Sequence, residues 1–319
     1  MAAIAVEQLV VRYGFRTAVD GVSFSAEAGT VLAVLGPNGA GKTTTVEALE
    51  GYRRPDSGSV RVLGLDPIRD RSAVVARIGV MLQHGGVYPA MPAGAVLRLF
   101  AGYYADPVPP ADLLDRLDLA GVASTPWRRL SGGEQQRLSL ALAIVGRPEV
   151  AFLDEPSAGM DPSARRVLWE VIRGLRDEGV AVLLTTHHLE EAERLADAVV
   201  ILDGGRVVAE GSPATLMRSG AGDEIRFGAP PGVDAAGLGT ALGGTVTEDR
   251  PGEYVVALPA TPANVARLTA WLAEQDVEVA DIRAGRQTLE DVFLRLTGQR
   301  SAAEDERRPR RRDRGRGAA

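Results

Sequence analysis

Nine residues limit what this chain can fold into. Gly36, Pro37, Asn38, Gly39, Ala40, Gly41, Lys42, Thr43 and Thr44 follow an apolar run at 31–35 and lead into residues 45–49. The succession reads as strand, loop and helix, and its glycine spacing, closed by Lys42 and Thr43, fits a loop that wraps phosphate groups. Glycines take left-handed conformations and let backbone N–H groups approach phosphate oxygens, and a helix starting there adds its positive end. Lys42 would reach the outer phosphates, and the Thr43 hydroxyl would ligate a Mg2+ bridging them. A glycine-rich turn with no ligand is the plainer alternative. Composition weighs against it: Lys42 is the only lysine, every other basic side chain being arginine. A compact ammonium and a planar guanidinium fill different spaces, so the position asks for lysine.

A chain of 319 residues with 45% hydrophobic content holds one large or two ordinary domains around a real core. No apolar run approaches the roughly eighteen residues that cross a bilayer, and the N-terminus lacks the order of a signal sequence. The expectation is a cytoplasmic protein. Without cysteine there is no disulfide or thiolate metal site, and His84, His187 and His188 are too few for a histidine-rich one. Any metal would be held by oxygen. The net charge of −6 argues against general nucleic-acid binding, although 307–316 form one concentrated basic stretch.

Strands are expected at 3–11 and 22–26 around a turn containing Tyr13 and Gly14, then at 31–35, 59–63 and 77–82. The Tyr13 ring would either stack on an adenine base or simply pack beside the hairpin. Residues 93–119 turn helical, with a Pro-rich break, as a helical insert. Helices at 133–145, 164–178 and 190–196 then alternate with strands at 150–153 and 180–185, before a hairpin around 203–205. Such alternation makes an α/β protein with a largely parallel sheet covered on both faces and ligand chemistry at the strand carboxyl ends. Gly36, Gln83, Asp154 and the region of His187 all follow such ends. A composition shift at 219–223 marks a boundary, followed by strands at 224–227, 254–258 and 277–283 and helices at 263–274 and 289–296. These make a small α+β module. Thr288 and Asp291 have capping-box spacing, Gly298 is a stop, and residues 301–319 read as a disordered Arg-rich tail.

Residues 150–156 form an apolar strand ending in Asp154 and Glu155. The first suits a Mg2+ opposite Thr43, and the second suits a base for an attacking water. Residues 130–137 begin Leu130, Ser131, Gly132, Gly133, Glu134, Gln135. Ser131 and Glu134 have capping-box spacing, and the same helix start, with exposed N–H groups and a hydroxyl, makes a second anion site. One chain would not close both anion sites on one phosphate chain, so a second copy would supply one of them. His187, at a strand end, would contact a terminal phosphate, and of the adjacent pair His187 and His188 one would be mere surface. Gln83 would ligate the metal, position water or serve as a surface hydrogen-bonding group.

These residues, in this order, resemble the ATP-binding subunits of ABC transporters, over residues 3–220. The resemblance implies a P-loop NTPase fold of the ABC type with a helical subdomain: domain 1–222, insert about 93–145, module 223–300 and tail 301–319. Tyr13 looks like the adenine-stacking aromatic, residues 36–44 the Walker A loop, Gln83 the Q-loop glutamine and residues 130–135 the signature. Asp154 and Glu155 look like the Walker B aspartate and catalytic glutamate, and His187 like the switch histidine. Ser157, Ala158, Gly159, Met160 and Asp161 resemble the D-loop, with Ser157 and Met160 where Thr and Leu are more usual. His188 stands where Tyr or Asp is often found. ATP and Mg2+ are the implied cofactors, with Thr43, Gln83 and Asp154 at the metal. The implied partners are a second ATPase chain, pairing one chain's Walker A loop with the other's signature, and integral-membrane subunits at the cytoplasmic face of a bacterial membrane. The insert and Gln83 would dock there.

The stretch 288–298 after the α+β module is similar to the end of ATPases of bacterial drug and antibiotic exporters of the daunorubicin-resistance type. The plainer alternative is an amphipathic helix packing Val292, Phe293 and Leu296. The resemblance therefore implies an ATPase energising export of a drug, antibiotic or other small hydrophobic compound. The rival class, a non-transport ABC-type ATPase acting on nucleic acid or ribosomes, would want a long coiled coil or a second motif set. A P-loop kinase would leave Ser131 and the Asp154–Glu155 pair without a role. No nucleic-acid partner is expected, and the tail would be solvated or touch anionic lipid heads.

Overall fold

The computed structural model describes residues 2–81, 86–219, 224–284 and 288–307. The chain divides into two compact units, one of Met1–Pro213 with Phe293–Ala319 and one of Ala214–Val292. The first unit opens with β1 (Ile4–Tyr13), β2 (Arg16–Ala26), β3 (Val31–Leu35), α1 (Lys42–Leu49) and β4 (Ser57–Val62). It continues with α2 (Arg71–Val75), β5 (Ile78–Met81), α3 (Ala93–Ala101), α4 (Pro110–Arg116) and α5 (Gly132–Ile144). Then come β6 (Val150–Asp154), α6 (Pro162–Asp177), β7 (Ala181–Thr185), α7 (Leu189–Leu195), β8 (Ala198–Asp203) and β9 (Arg206–Gly211).

The six-stranded sheet runs β5-β6-β7-β3-β8-β9, parallel except for the β9 edge. Its inner strands bury both faces: every residue of β3 and β7 is inaccessible. That is why they read as unbroken apolar runs rather than alternations. Alternate residues such as Leu32, Val34, Phe152 and Leu183 join Ile4, Leu9 and Val22 of the antiparallel β2-β1-β4 sheet in one core cluster. On α6, Ala164, Leu168, Val171, Ile172 and Leu175 are buried at helical spacing. The second half of α5 is buried almost all round, and a methyl on Gly79 of β5 would collide with the Ala143 carbonyl.

The second unit is built on β10 (Ile225–Gly228), β11 (Thr245–Arg250), β12 (Glu253–Ala257) and β13 (Asp281–Ala284), ordered β11-β12-β10-β13 and antiparallel. Ile225, Phe227, Tyr254 and Val256 pack with Leu238, Leu242, Leu268 and Leu272. The helices of this unit are α8 (Pro213–Ser219) at its start, α9 (Ala235–Leu242) and α10 (Pro262–Glu274), while α11 (Leu289–Arg307) begins in it and belongs to the first unit from Phe293 onward. The strand expected at 277–283 is shorter and later, since only Asp281–Ala284 pair with β10. Gly298 does not end α11, which runs on to Arg307. A single helical glycine costs only about 1 kcal/mol, and the residues beyond it include Ala302, Ala303, Glu304 and Glu306, all good helix formers. The boundary expected at 219–223 falls largely outside the described residues, as do residues 308–319 of the tail. Among the described residues no helix is long and apolar enough to cross a membrane.

Candidate functional site

Parallel pairing brings the chemistry to one level. Thr185, the last residue of β7, is in register with Asp154 of β6 on one side and Val34 of β3 on the other. The loop after β3 and the acids ending β6 therefore face one cleft of about 360 Å3, lined by Tyr13, Arg16, Ala18, residues 38–44, Asp154 and Glu155.

The loop needs its glycines for space and conformation. A methyl on Gly36 would meet the Leu202 carbonyl, and one on Gly41 would stand 2.6 Å from the Ala18 carbonyl, at a φ of 102° that side chains avoid. Gly41 is also the N-cap of α1 and offers no side-chain cap, which leaves the helix start to an external anion. Lys42 is buried and donates from Nζ to the carbonyls of Gly36 at 2.6 Å and Pro37 at 3.2 Å. Burial lowers its pKa, partly countered by Glu155 and Asp154. Thr43 is exposed in the cleft, while Thr45 is buried and its hydroxyl donates to the Gly41 carbonyl at 2.8 Å.

Asp154 accepts a hydrogen bond from the Thr185 hydroxyl. Burial raises its pKa most, the neighbouring Glu155 adds to that, and Thr185 and Lys42 pull it down. Glu155 sits at φ 51°, a strained conformation for a long side chain. Its amide donates to Thr185 O at 3.0 Å and Thr185 Oγ1 at 3.2 Å. The turn aims the carboxylate at His187, with Oε2 2.6 Å from Nδ1. Of the adjacent histidines it is thus His187 that reaches the acid. His188 lies 4.1 Å away ring to ring, and its pKa is lowered first by burial and then by His187.

Tyr13 is anchored by its hydroxyl, which donates to Glu47 at 3.3 Å and lies 3.5 Å from Thr44 Oγ1. The Arg53 guanidinium stacks 4.4 Å from the ring centroid. The signature residues do not line this cleft. Ser131 caps α5 in a complete capping box: the Glu134 amide donates to Ser131 Oγ at 3.3 Å, and the Ser131 amide to Glu134 Oε2 at 2.7 Å. Leu130 is buried, Gly132 and Gly133 open α5, and Gln135 Nε2 donates to Trp127 O at 3.0 Å and Leu130 O at 3.2 Å. In the stretch expected to be the D-loop, Asp161 caps α6 by accepting from the Ser163 and Ala164 amides at 2.8 and 3.0 Å. Ser157 and Met160 are buried, and Gly159 takes φ 70°, beside Ala158. Gln83 lies outside the described residues.

Sequence reasoning missed Arg16 and Glu50. Arg16 sits opposite Tyr13 across the hairpin, a signal legible only once the strand register is known. Glu50, just past α1, is 6% exposed, and burial first, then Asp154 and Glu47, push its pKa up to about 8. In the unfolded chain it ionises near 4.5, so the folded state keeps the extra proton between those values. Stability contributed by this group falls as pH rises through that window and levels off above about 8. Glu50→Gln should flatten this dependence and stabilise the fold at pH 8.5 by about 2 kcal/mol, or roughly 5 °C in Tm. Thermal melts of both proteins between pH 5 and 9 check it, and parallel curves would count against it.

Residues 19–158 match the family model described as ABC transporter. The chain is 40% identical over 309 residues to the daunorubicin resistance ATP-binding protein DrrA3 of Streptomyces coeruleorubidus, covering 93% of this chain and 96% of that one. It is 39% identical over 312 residues to the Nod factor export ATP-binding protein I of Paraburkholderia xenovorans (strain LB400), covering 93% and 98%. Among solved structures, one described as the ATP binding subunit of an ABC transporter superposes with a TM-score of 0.63 at 28% identity, over 68% of this chain and 92% of that chain. Sharing more than a third of its residues with both relatives along nearly their whole lengths, the chain belongs to the ABC transporter family as an ATP-binding ATPase subunit.

Proposed function

We propose that this chain energises export of a drug, antibiotic or other small hydrophobic compound through separate membrane subunits, from the cytoplasmic face of a bacterial membrane. The functions for which the two relatives are named, drug resistance and Nod factor export, support the export direction. The observation that carries the hydrolytic mechanism is the Glu155–His187 pair, 2.6 Å apart beside the phosphate loop.

In this reading ATP lays its phosphates along residues 36–44, and Lys42 exchanges its two loop carbonyls for phosphate oxygens. Tyr13 presents its ring to the adenine. Glu155 takes the proton of the attacking water. With Nδ1 held by the carboxylate, His187 has Nε2 left to face the terminal phosphate. The oxygens of Thr43 and Asp154 fit a Mg2+, with Gln83 as a further ligand. Among the described residues no three His, Asp or Glu side chains form a self-sufficient metal cage, which suits an ion that completes its shell with phosphate and water. When bound, Mg2+ would offset phosphate charge.

The signature residues 130–135 act in this scheme on the nucleotide of a second chain. Support comes from the uncovered start of α5, whose Ser131 and two glycines do not line the chain's own cleft. The helical insert, α3 to α5, then serves as the docking region for the membrane subunits.

The test is Mg-ATP hydrolysis by the purified chain, alone and reconstituted with its membrane subunit, with mass in solution recorded in parallel. Hydrolysis together with an ATP-dependent dimer is expected. A chain that stays monomeric with saturating Mg-ATP and hydrolyses nothing even with the membrane subunit would overturn the proposal.

A further inference from the structure

The hairpin between β1 and β2 directs two side chains at the same cleft. Tyr13 and Arg16 are directly opposed across the strands, so both project from one side of the ribbon, and both line the cleft together with residues 38–44. The Arg16 guanidinium lies over the phosphate loop, since a methyl added to Gly39 would stand 3.3 Å from its Nη2.

Nearby carboxylates are committed elsewhere. Glu47 serves Tyr13 and Arg53, and Asp20 accepts from Arg206 at 2.6 Å. Arg16 makes no hydrogen bond or ion pair among the described residues, although it is long, exposed and free to turn. A second cation thus stands over the phosphate loop and an uncapped helix start, and the two acids that share the cleft, Asp154 and Glu155, are bonded to Thr185 and His187 rather than to it. Like charges gathered this way repel one another, and the arrangement is relieved by an anion lying between them. A guanidinium, with its planar fork of donors, suits non-bridging phosphate oxygens.

Resting on the reading of this cleft as the ATP site, we infer that Arg16 is a ligand of the nucleotide's phosphate chain. The hairpin then grips the nucleotide at two points, the base through Tyr13 and the phosphates through Arg16. The contribution of Arg16 depends on the phosphates and not on the nucleoside. Affinity for Mg-ATP and Mg-ADP should fall when Arg16 is removed, while adenosine, which carries no phosphate, should not notice.

The experiment measures binding of Mg-ATP and Mg-ADP by calorimetry, and of adenosine by ligand-observed NMR, to the full chain as wild type, Arg16→Ala and Arg16→Lys. Arg16→Ala is expected to weaken Mg-ATP about tenfold, to leave adenosine binding unchanged, and to shift KM rather than kcat in hydrolysis. Arg16→Lys should recover part of the loss, because the charge returns without the fork. The exposed position predicts unaltered thermal unfolding, which separates a binding defect from a folding one. Mg-ATP binding by Arg16→Ala within twofold of wild type would overturn the inference. Equal weakening of adenosine would overturn it too, tracing the loss to a disturbed Tyr13. Wild-type protein that binds adenosine but neither nucleotide would instead overturn the reading of the cleft.

Discussion

Glu155→Gln lowers Mg-ATP hydrolysis by a factor of about 100 to 10,000, the usual worth of a general base, and leaves ATP affinity nearly intact. Glutamine keeps the shape of glutamate and can still meet His187, but it cannot accept a proton from water. The ligands proposed for phosphate and metal, Lys42, Thr43 and Asp154, are untouched. Nucleotide that binds without being consumed holds the closed state, so the variant should run at twice the monomer mass in Mg-ATP and return to the monomer when ATP is removed. Steady-state hydrolysis and light scattering on the same preparations check both halves. Residual turnover within tenfold of wild type would assign the base elsewhere, and His187 would be the next residue to replace.

Lys42→Ala weakens Mg-ATP by roughly 100-fold, the order expected for losing charge-assisted hydrogen bonds to phosphate. The ammonium is already desolvated and held by the Gly36 and Pro37 carbonyls at 2.6 and 3.2 Å, so little reorganisation is needed when phosphate arrives. Lys42→Arg should rescue poorly. Lys42 is 9% exposed, its compact head group held against the loop, and a guanidinium fork would press on the loop that supplies the backbone N–H groups. Calorimetric titration with Mg-ATP separates the variants. Lysine replaced without a change beyond threefold would mean that the loop binds through its backbone alone.

Short-range features were legible in the sequence because their causes are local. The strand expected at 31–35 is β3 to the residue, since five consecutive apolar residues end at a glycine that cannot continue them. The Ser131–Glu134 and Thr288–Asp291 spacings both become reciprocal caps, each needing only a single turn of chain. In the second unit the signals were weaker. β11 presents mostly exposed residues, Thr245, Thr247, Glu248, Asp249 and Arg250 among them. α9 contains Gly237 and Gly239 and buries only Leu238 and Leu242. Neither carries enough periodicity to be read, and each is held by its neighbours in the fold.

The sequence by itself determined the phosphate loop, the acid pair, the capped helix at Ser131 and the α/β alternation, because each is written in contiguous residues whose backbone preferences and spacing act over one or two turns. Only the tertiary structure decided that β6 and β3 flank β7, which brings Asp154 and Glu155 to the loop after β3. It also decided that Glu155 takes a left-handed turn toward His187, that Arg53 covers one face of Tyr13, and that Glu50 is buried near the same acids. These depend on contacts between residues far apart in the chain, and their geometry is set by packing across the sheet rather than by any local preference.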